Sequence, residues 1–169
     1  WVYSDSDPIN LEADFFIELD AEYVADADAA YGLYFNFVDE DNYYVFKISE
    51  HGNYTIGKKE NDKYTEIVDW TGNDAINDSK TANKIAVSHI ENKYTFYVND
   101  NYVDDVTIKG DDNAVLALIV QCWDTTATVA FDNLRILDLS NGATTSNIGN
   151  AKLSSGTITG GNFNGVIND

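Results

Sequence analysis

Apolar and polar residues alternate along this chain in short runs, most strictly from Phe15 to Val24. Phe15, Ile17, Leu19, Ala21 and Tyr23 share one parity, and Phe16, Glu18, Asp20, Glu22 and Val24 the other. That is the period of a half-buried strand. Asp26-Ala27-Asp28 ends the run and leads into Tyr31 to Ser49, two apolar strands joined by the acidic turn Asp39-Glu40-Asp41-Asn42. Here Leu33, Phe35 and Phe37 alternate with Tyr34, Asn36 and Val38, then Tyr44, Phe46 and Ile48 with Tyr43, Val45 and Lys47. The pattern predicts a hairpin whose inward side chains are so large that a second sheet must cover them.

The rest of the chain supplies that sheet. After the turn at His51-Gly52, strands are expected over 53–59 and 63–70, 84–90 and 94–98, 102–108, 115–121 and 128–137. They are separated by Glu60-Asn61-Asp62, Glu91-Asn92-Lys93, Asn99-Asp100-Asn101 and Cys122 to Thr126, with a polar, irregular stretch from Thr71 to Asn83. In the last of these strands Val129 and Phe131 have one parity and Leu134 and Ile136 the other, which predicts a bulge at Asp132-Asn133. Strand signals at intervals of about ten residues, with no amphipathic helix among them, predict an all-β fold. The expected form is a two-sheet antiparallel β-sandwich, or jelly roll, over residues 1–140. Residues 141–169 turn rich in Gly, Ser, Thr and Asn, as a linker would, but carry Leu153, Ile158, Phe163, Val166 and Ile167 as apolar anchors. We read them as an ordered extension that supplies a returning or donated strand.

Composition narrows the partners. The 169 residues suffice for one domain with a sizeable core, and aromatics at 13%, including 11 Tyr and 8 Phe, suit strands. Asp and Glu number 29 against 10 Lys and Arg, a formal charge of −19. Nucleic acid and anionic lipid surfaces are repelled by such a field, and no apolar run is long enough for membrane insertion. Cys122 is the only cysteine, so no intrachain disulfide forms. Opening on Trp1 and lacking methionine, the sequence reads as a processed product or an excised domain. Asn53-Tyr54-Thr55 and Asn77-Asp78-Ser79 match the N-glycosylation pattern, and with it an extracellular or cell-surface location.

Several short pieces occur in a particular order: Tyr31-Gly32-Leu33, Asp39 to Tyr44, Gly52-Asn53-Tyr54, Asp69-Trp70, Asn83-Lys84-Ile85, Tyr97-Val98-Asn99 with Val103, and Phe131-Asp132-Asn133-Leu134. Together they resemble the concanavalin A-like lectin/glucanase superfamily, in particular its laminin-G-like and sugar-hydrolase-associated domains. The resemblance covers roughly residues 1–137. It implies a concanavalin A-like jelly roll and a non-catalytic role in binding glycan or another surface ligand, for adhesion or sensing. Such domains usually begin with a strand upstream of Trp1 and end near Leu137, so the tail is expected to replace the missing strand. It can do so within one molecule or between neighbours, the latter giving a homopolymer, a filament or surface array built by strand exchange.

Candidate chemistry falls into three groups. Glu18, Asp20 and Glu22 resemble the E-x-D-x-E catalytic strand of laminarinase- and lichenase-type glycoside hydrolases. Residues two apart on a strand lie about 6.8 Å apart on one face, which allows paired carboxylates to serve a retaining mechanism. The alternative is the charged outer face of an ordinary strand. Asp132 resembles the last-strand Asp that often helps hold a structural calcium in related β-sandwich carbohydrate modules; its plainer role is capping backbone amides at the bulge. For a sugar ring, the aromatic platforms are Tyr34, Tyr43, Tyr54, Trp70 and Trp123, with Asn36, Asp69 and Asp124 as polar partners. Against this, Tyr and Trp on strands mostly pack across the sheet. His51 and His89 are read as isolated, His51 as a turn residue, because the sequence sets no ligand cluster beside either.

Overall fold

The computed structural model describes residues 14–25, 28–78, 81–109, 115–123, 127–139, 148–149, 156–160 and 163–165. Its elements in chain order are β1 (Phe15–Ala25), β2 (Ala29–Asp39), β3 (Asn42–Ser49), β4 (Asn53–Glu60) and β5 (Lys63–Gly72). There follow β6 (Asn83–Ile90), β7 (Lys93–Val98), β8 (Asn101–Thr107), β9 (Val115–Cys122) and β10 (Ala127–Asp138). Three short strands, β11 (Ile148–Gly149), β12 (Gly156–Gly160) and β13 (Phe163–Gly165), lie in the C-terminal extension. All pairings are antiparallel, and among the described residues there is no helix.

One sheet has the order β11-β10-β1-β6-β7-β8, with β12 also on β10, and the other the order β13-β9-β2-β3-β4-β5. The two bury their inner faces against each other, as the hairpin of β2 and β3 requires. Phe46 stacks on Phe96 of the opposite sheet at 4.7 Å between ring centres, and Phe35 lies 5.0 Å from Phe96 and 4.9 Å from Tyr94. All four rings are fully buried. Each such ring contributes about 1.5–3 kcal/mol by leaving water. Where the tail is described, it pairs with the body of its own chain: β11 and β12 on β10, β13 on β9.

Bulges decide which side chains face the core. Opposite Leu19 of β1, strand β10 has two residues, Asn133 and Leu134, so Phe131 and Leu134 are both buried despite their opposite parity. Asn133 adopts φ 55° there. A second irregularity overturns one expectation from the alternation. Asn36, also at φ 55°, shifts the register of β2 against both neighbours, so Phe37 does not continue the face of Leu33 and Phe35. It joins Tyr34, Val45, Ala117 and Ile119 in a second apolar cluster on the other face of the same sheet.

Turns are closed by polar side chains. Asn61-Asp62 and Asn99-Asp100 both have positive φ at two successive residues, the geometry of tight hairpins, which Asn and Asp tolerate best. The irregular stretch before β6 is anchored by Asn83, whose amide donates to the Tyr31 hydroxyl at 3.1 Å and to the Asn77 carbonyl at 3.0 Å. This fixes the loop that follows β5 without regular structure of its own.

Candidate functional site

A hollow of about 180 Å³ opens at the end of the second sheet where β2 begins, β3 turns into β4, and β9 ends. Two tryptophans from distant parts of the chain wall it. Trp70 reaches it because β5 is bulged: Asp69 and Trp70 together face the single residue Thr55 of β4. The extra residue re-aims the indole. Trp123 follows directly on β9 and is tied there by its N–H, which donates to the Asp28 carbonyl at 3.4 Å. The two rings meet edge to face, 6.2 Å apart at 64°. They are 38% and 53% exposed, so each keeps an open surface beyond what their mutual contact covers.

Polar groups complete the hollow. Glu50, in the β3–β4 turn, is buried, and both its carboxylate oxygens accept the Ala29 N–H at 3.0 Å. His51 follows it, held by its N–H to Ser49 Oγ at 3.3 Å. The His51 Nε2 lies 3.4 Å from Glu50 Oε1 and 3.5 Å from Asp28 Oδ1. Asn53, also lining the hollow, donates its side-chain amide to the His51 carbonyl at 3.3 Å. Gly52, at φ 75°, lets the turn reverse between them, a conformation that a side chain resists. His51 is therefore not isolated, as its sequence neighbours suggest. Chain reversal brings Asp28 to it from the start of β2.

Behind Trp70 stands a buried cation. Lys47 Nζ donates to Gln121 Oε1 at 2.9 Å and lies 5.8 Å from the centre of the Trp70 ring and 5.6 Å from that of Tyr64. Burial lowers the pKa of its ammonium, and the charge of Glu66 works in the opposite direction. A cation against the ring face fixes Trp70 from one side. Tyr64 in turn lies over Gly57, where any Cβ would run into the phenol. Burial pushes the Tyr64 hydroxyl up to about 12, with the charges of Glu66 and Tyr43 adding to it.

Of the sequence-derived platforms, Trp70 and Trp123 come together. Tyr34 and Tyr43 pair with each other instead, 4.7 Å apart in the second apolar cluster, Tyr34 buried and Tyr43 half-buried. Tyr54 stands next to the turn, as the second residue of β4, but its ring points into the main core and its hydroxyl donates to Asp104 Oδ2 at 2.9 Å. Asn36 is buried at the β2 bulge, and Asp69 is exposed, its carbonyl accepting from Thr71 Oγ1. Asp124 lies outside the described residues.

The carboxylates of β1 line its outer face, each in its own surroundings. Glu18 Oε1 meets Arg135 Nε at 3.3 Å, Asp20 Oδ2 accepts from the Asn133 side-chain amide at 2.7 Å, and Glu22 is exposed. Asp132 accepts the Asn133 N–H at 2.8 Å in the bulge. Among the described residues, the group of potential metal ligands that converges is Asp28, Glu50 and His51.

No protein-family model matches the chain, and neither does any curated protein. Solved structures do. A carbohydrate-binding module from Bacillus subtilis, CBM66, aligns over 73% of this chain and 74% of its own with a TM-score of 0.55 at 22% identity. Sheep galectin-11, solved with glycerol, aligns over 81% of this chain and 100% of its own with a TM-score of 0.61 at 10% identity. At such identities the likeness concerns the fold: this chain is a two-sheet jelly-roll β-sandwich similar to those of a carbohydrate-binding module and a galectin.

Proposed function

We propose that the chain is a non-catalytic carbohydrate-recognition module, and that the hollow between Trp70 and Trp123 takes the sugar. The observation that carries this reading is the convergence of two exposed indoles, from β5 and from the end of β9, on a hollow with polar groups beside them. Burying an exposed ring against the C–H face of a sugar removes apolar area from water on both sides. Hydroxyl groups are then met by carboxylate, imidazole and amide groups at Asp28, His51 and Asn53. The volume decides the size of ligand: it is well under the roughly 300–1,000 Å³ of drug-sized pockets, and suits one ring or a chain end. The likeness to a module named for carbohydrate binding and to a galectin supports the same class of ligand. A concanavalin A-like assignment, an extracellular or surface location and a role in adhesion or sensing accompany this reading. The dispersed partners of Glu18, Asp20 and Glu22, on the other sheet from the hollow, support binding without hydrolysis.

The test is a screen of the full chain on plant, microbial and animal glycans, followed by titration of each hit with intrinsic tryptophan fluorescence. At least one glycan is expected to be retained, to perturb the fluorescence and to be recovered uncleaved. Retention of none across all three groups contradicts the reading.

A further inference from the structure

One wall of the hollow holds more negative charge than a neutral sugar requires. Asp28, Glu50 and His51 each present one donor atom, and these atoms lie within 4.8 Å of one another. We propose that they bind a divalent transition-metal cation of the zinc class, with an open coordination position facing the hollow. The site goes beyond the sugar-binding reading and stands whether or not a sugar binds.

The spacing is the first argument. Around a tetrahedral ion with bonds of about 2.0–2.1 Å, neighbouring donor atoms stand about 3.4 Å apart. His51 Nε2 is 3.5 Å from Asp28 Oδ1 and 3.4 Å from Glu50 Oε1, so two edges of that tetrahedron already have their length. The charges are the second. One ring nitrogen carries at most one N–H and directs it to one carboxylate, so it cannot serve both Asp28 and Glu50 fully, and beyond it Glu50 has the backbone N–H of Ala29, which carries no net charge. A divalent ion compensates both at once, in a chain whose formal charge is −19. Glu50 is the third: its side chain is only 8% exposed and is oriented by the Ala29 N–H on both oxygens, which is how a ligand carboxylate is held ready. Asp28 and His51 are 69% and 66% exposed, leaving the ion a way in.

Ligand type selects the metal. Calcium takes six to eight oxygen donors at about 2.3–2.6 Å, whereas a set of one imidazole and two carboxylates suits zinc and its first-row neighbours. Three protein donors leave the fourth position to water or to a ligand in the hollow. Trp70 and Trp123 line the same hollow.

The test uses the full chain, freed of metal by a chelator and titrated with Zn²⁺ by calorimetry, and with Co²⁺ as a spectroscopic substitute. Because so acidic a chain gathers cations weakly everywhere, the site is isolated by His51→Gln and Asp28→Asn, with Asp39→Asn as a remote carboxylate control. One tight equivalent is expected, with the intense visible absorption of four-coordinate Co²⁺. H51Q and D28N should each weaken it at least about tenfold, and D39N should leave it unchanged. Circular dichroism establishes that each variant is folded; Glu50 is left intact because it holds the Ala29 N–H. Equal Zn²⁺ affinity in the wild-type chain and H51Q, or a weak six-coordinate Co²⁺ spectrum, overturns the proposal. A chain that takes Zn²⁺ as described while retaining no glycan upholds the metal site and removes the sugar reading. The reverse pattern does the opposite.

Discussion

The side-chain amide of Asn99 donates to Oδ1 of Asn83 at 2.9 Å, joining the turn after β7 to the first residue of β6. Asn83 is fully buried, and the same oxygen also accepts the Asn77 N–H at 2.8 Å. Asn99 donates further to the Ala75 carbonyl at 2.8 Å, and its oxygen accepts the Lys84 N–H at 2.9 Å. Two asparagines thus satisfy a loop that has no strand partner. Asn83→Ala takes a partner from the buried Tyr31 hydroxyl and from part-buried groups of Asn77 and Asn99 at once, and should cost about 1–3 kcal/mol in denaturant unfolding, with the midpoint shifted and the slope unchanged. A loss under about 0.5 kcal/mol would mean that the network does not hold the loop.

Buried phenols set the alkaline limit of stability. Burial pushes Tyr31, Tyr54 and Tyr94 up to about 12, and at Tyr54 the hydrogen bond to Asp104 adds to the effect. An unfolded tyrosine ionises near 10. Between these values the unfolded chain has lost protons that the folded one keeps, so the stabilising contribution is whole below about pH 10 and is lost as pH rises toward about 12. Ultraviolet titration should show these tyrosines ionising together with unfolding in that window. Their ionisation near pH 10 in a chain still folded by circular dichroism would contradict the account.

The tail bears on solubility. β12 covers β10 from Ala127 to Phe131, and β13 covers β9 from Leu118 to Val120. A chain ending at Ser140 leaves those edges unpaired, and unpaired edges recruit strands from other chains. Light scattering should find the full chain monomeric and the truncated one associated. Large assemblies of the full chain that truncation abolishes would instead place the tail between molecules, as in a filament built by strand exchange.

Asp132 has two possible duties that calcium separates. Its carboxylate receives the Asn133 N–H, a local cap that works without metal. Asp132→Asn is therefore expected to lower the melting temperature slightly and by the same amount in calcium and in chelator, as loss of about 1 kcal/mol would. A loss confined to calcium-containing buffer would assign a structural calcium to this strand.

Much of the sandwich is legible in the alternation, because period two states which face is buried. The hairpin of β2 and β3 and the change of phase at Asp132-Asn133 both follow from the order of residue types alone. Phe37 does not, since the bulge at Asn36 has no apolar run after it on β2 to reveal the change of phase. Tyr54 escapes for a related reason: composition marks where a turn lies, but not whether the next ring points into the core. Trp70 and Trp123 stand out as large rings at strand ends. Asp28, Glu50 and His51 do not: the β2–β3 pairing sets Ala30 opposite Ser49 and so brings Asp28 level with His51, but the apolar alternation stops at Tyr31 and Ser49 and does not state that the register runs on into the polar residues beyond. The signal in the sequence is a His beside a carboxylate at a glycine turn, weak until Asp28 joins it.

The central claim is that Trp70 and Trp123 form one sugar platform, and it is tested most directly by titrating one retained glycan against Trp70→Ala and Trp123→Ala in parallel with the wild-type chain. Both rings are partly exposed, so both variants should fold. Each is predicted to lose about 2 kcal/mol of binding, roughly thirtyfold in affinity, with the melting temperature little changed. Undiminished affinity in both folded variants would contradict the account and move the sugar elsewhere on the sandwich.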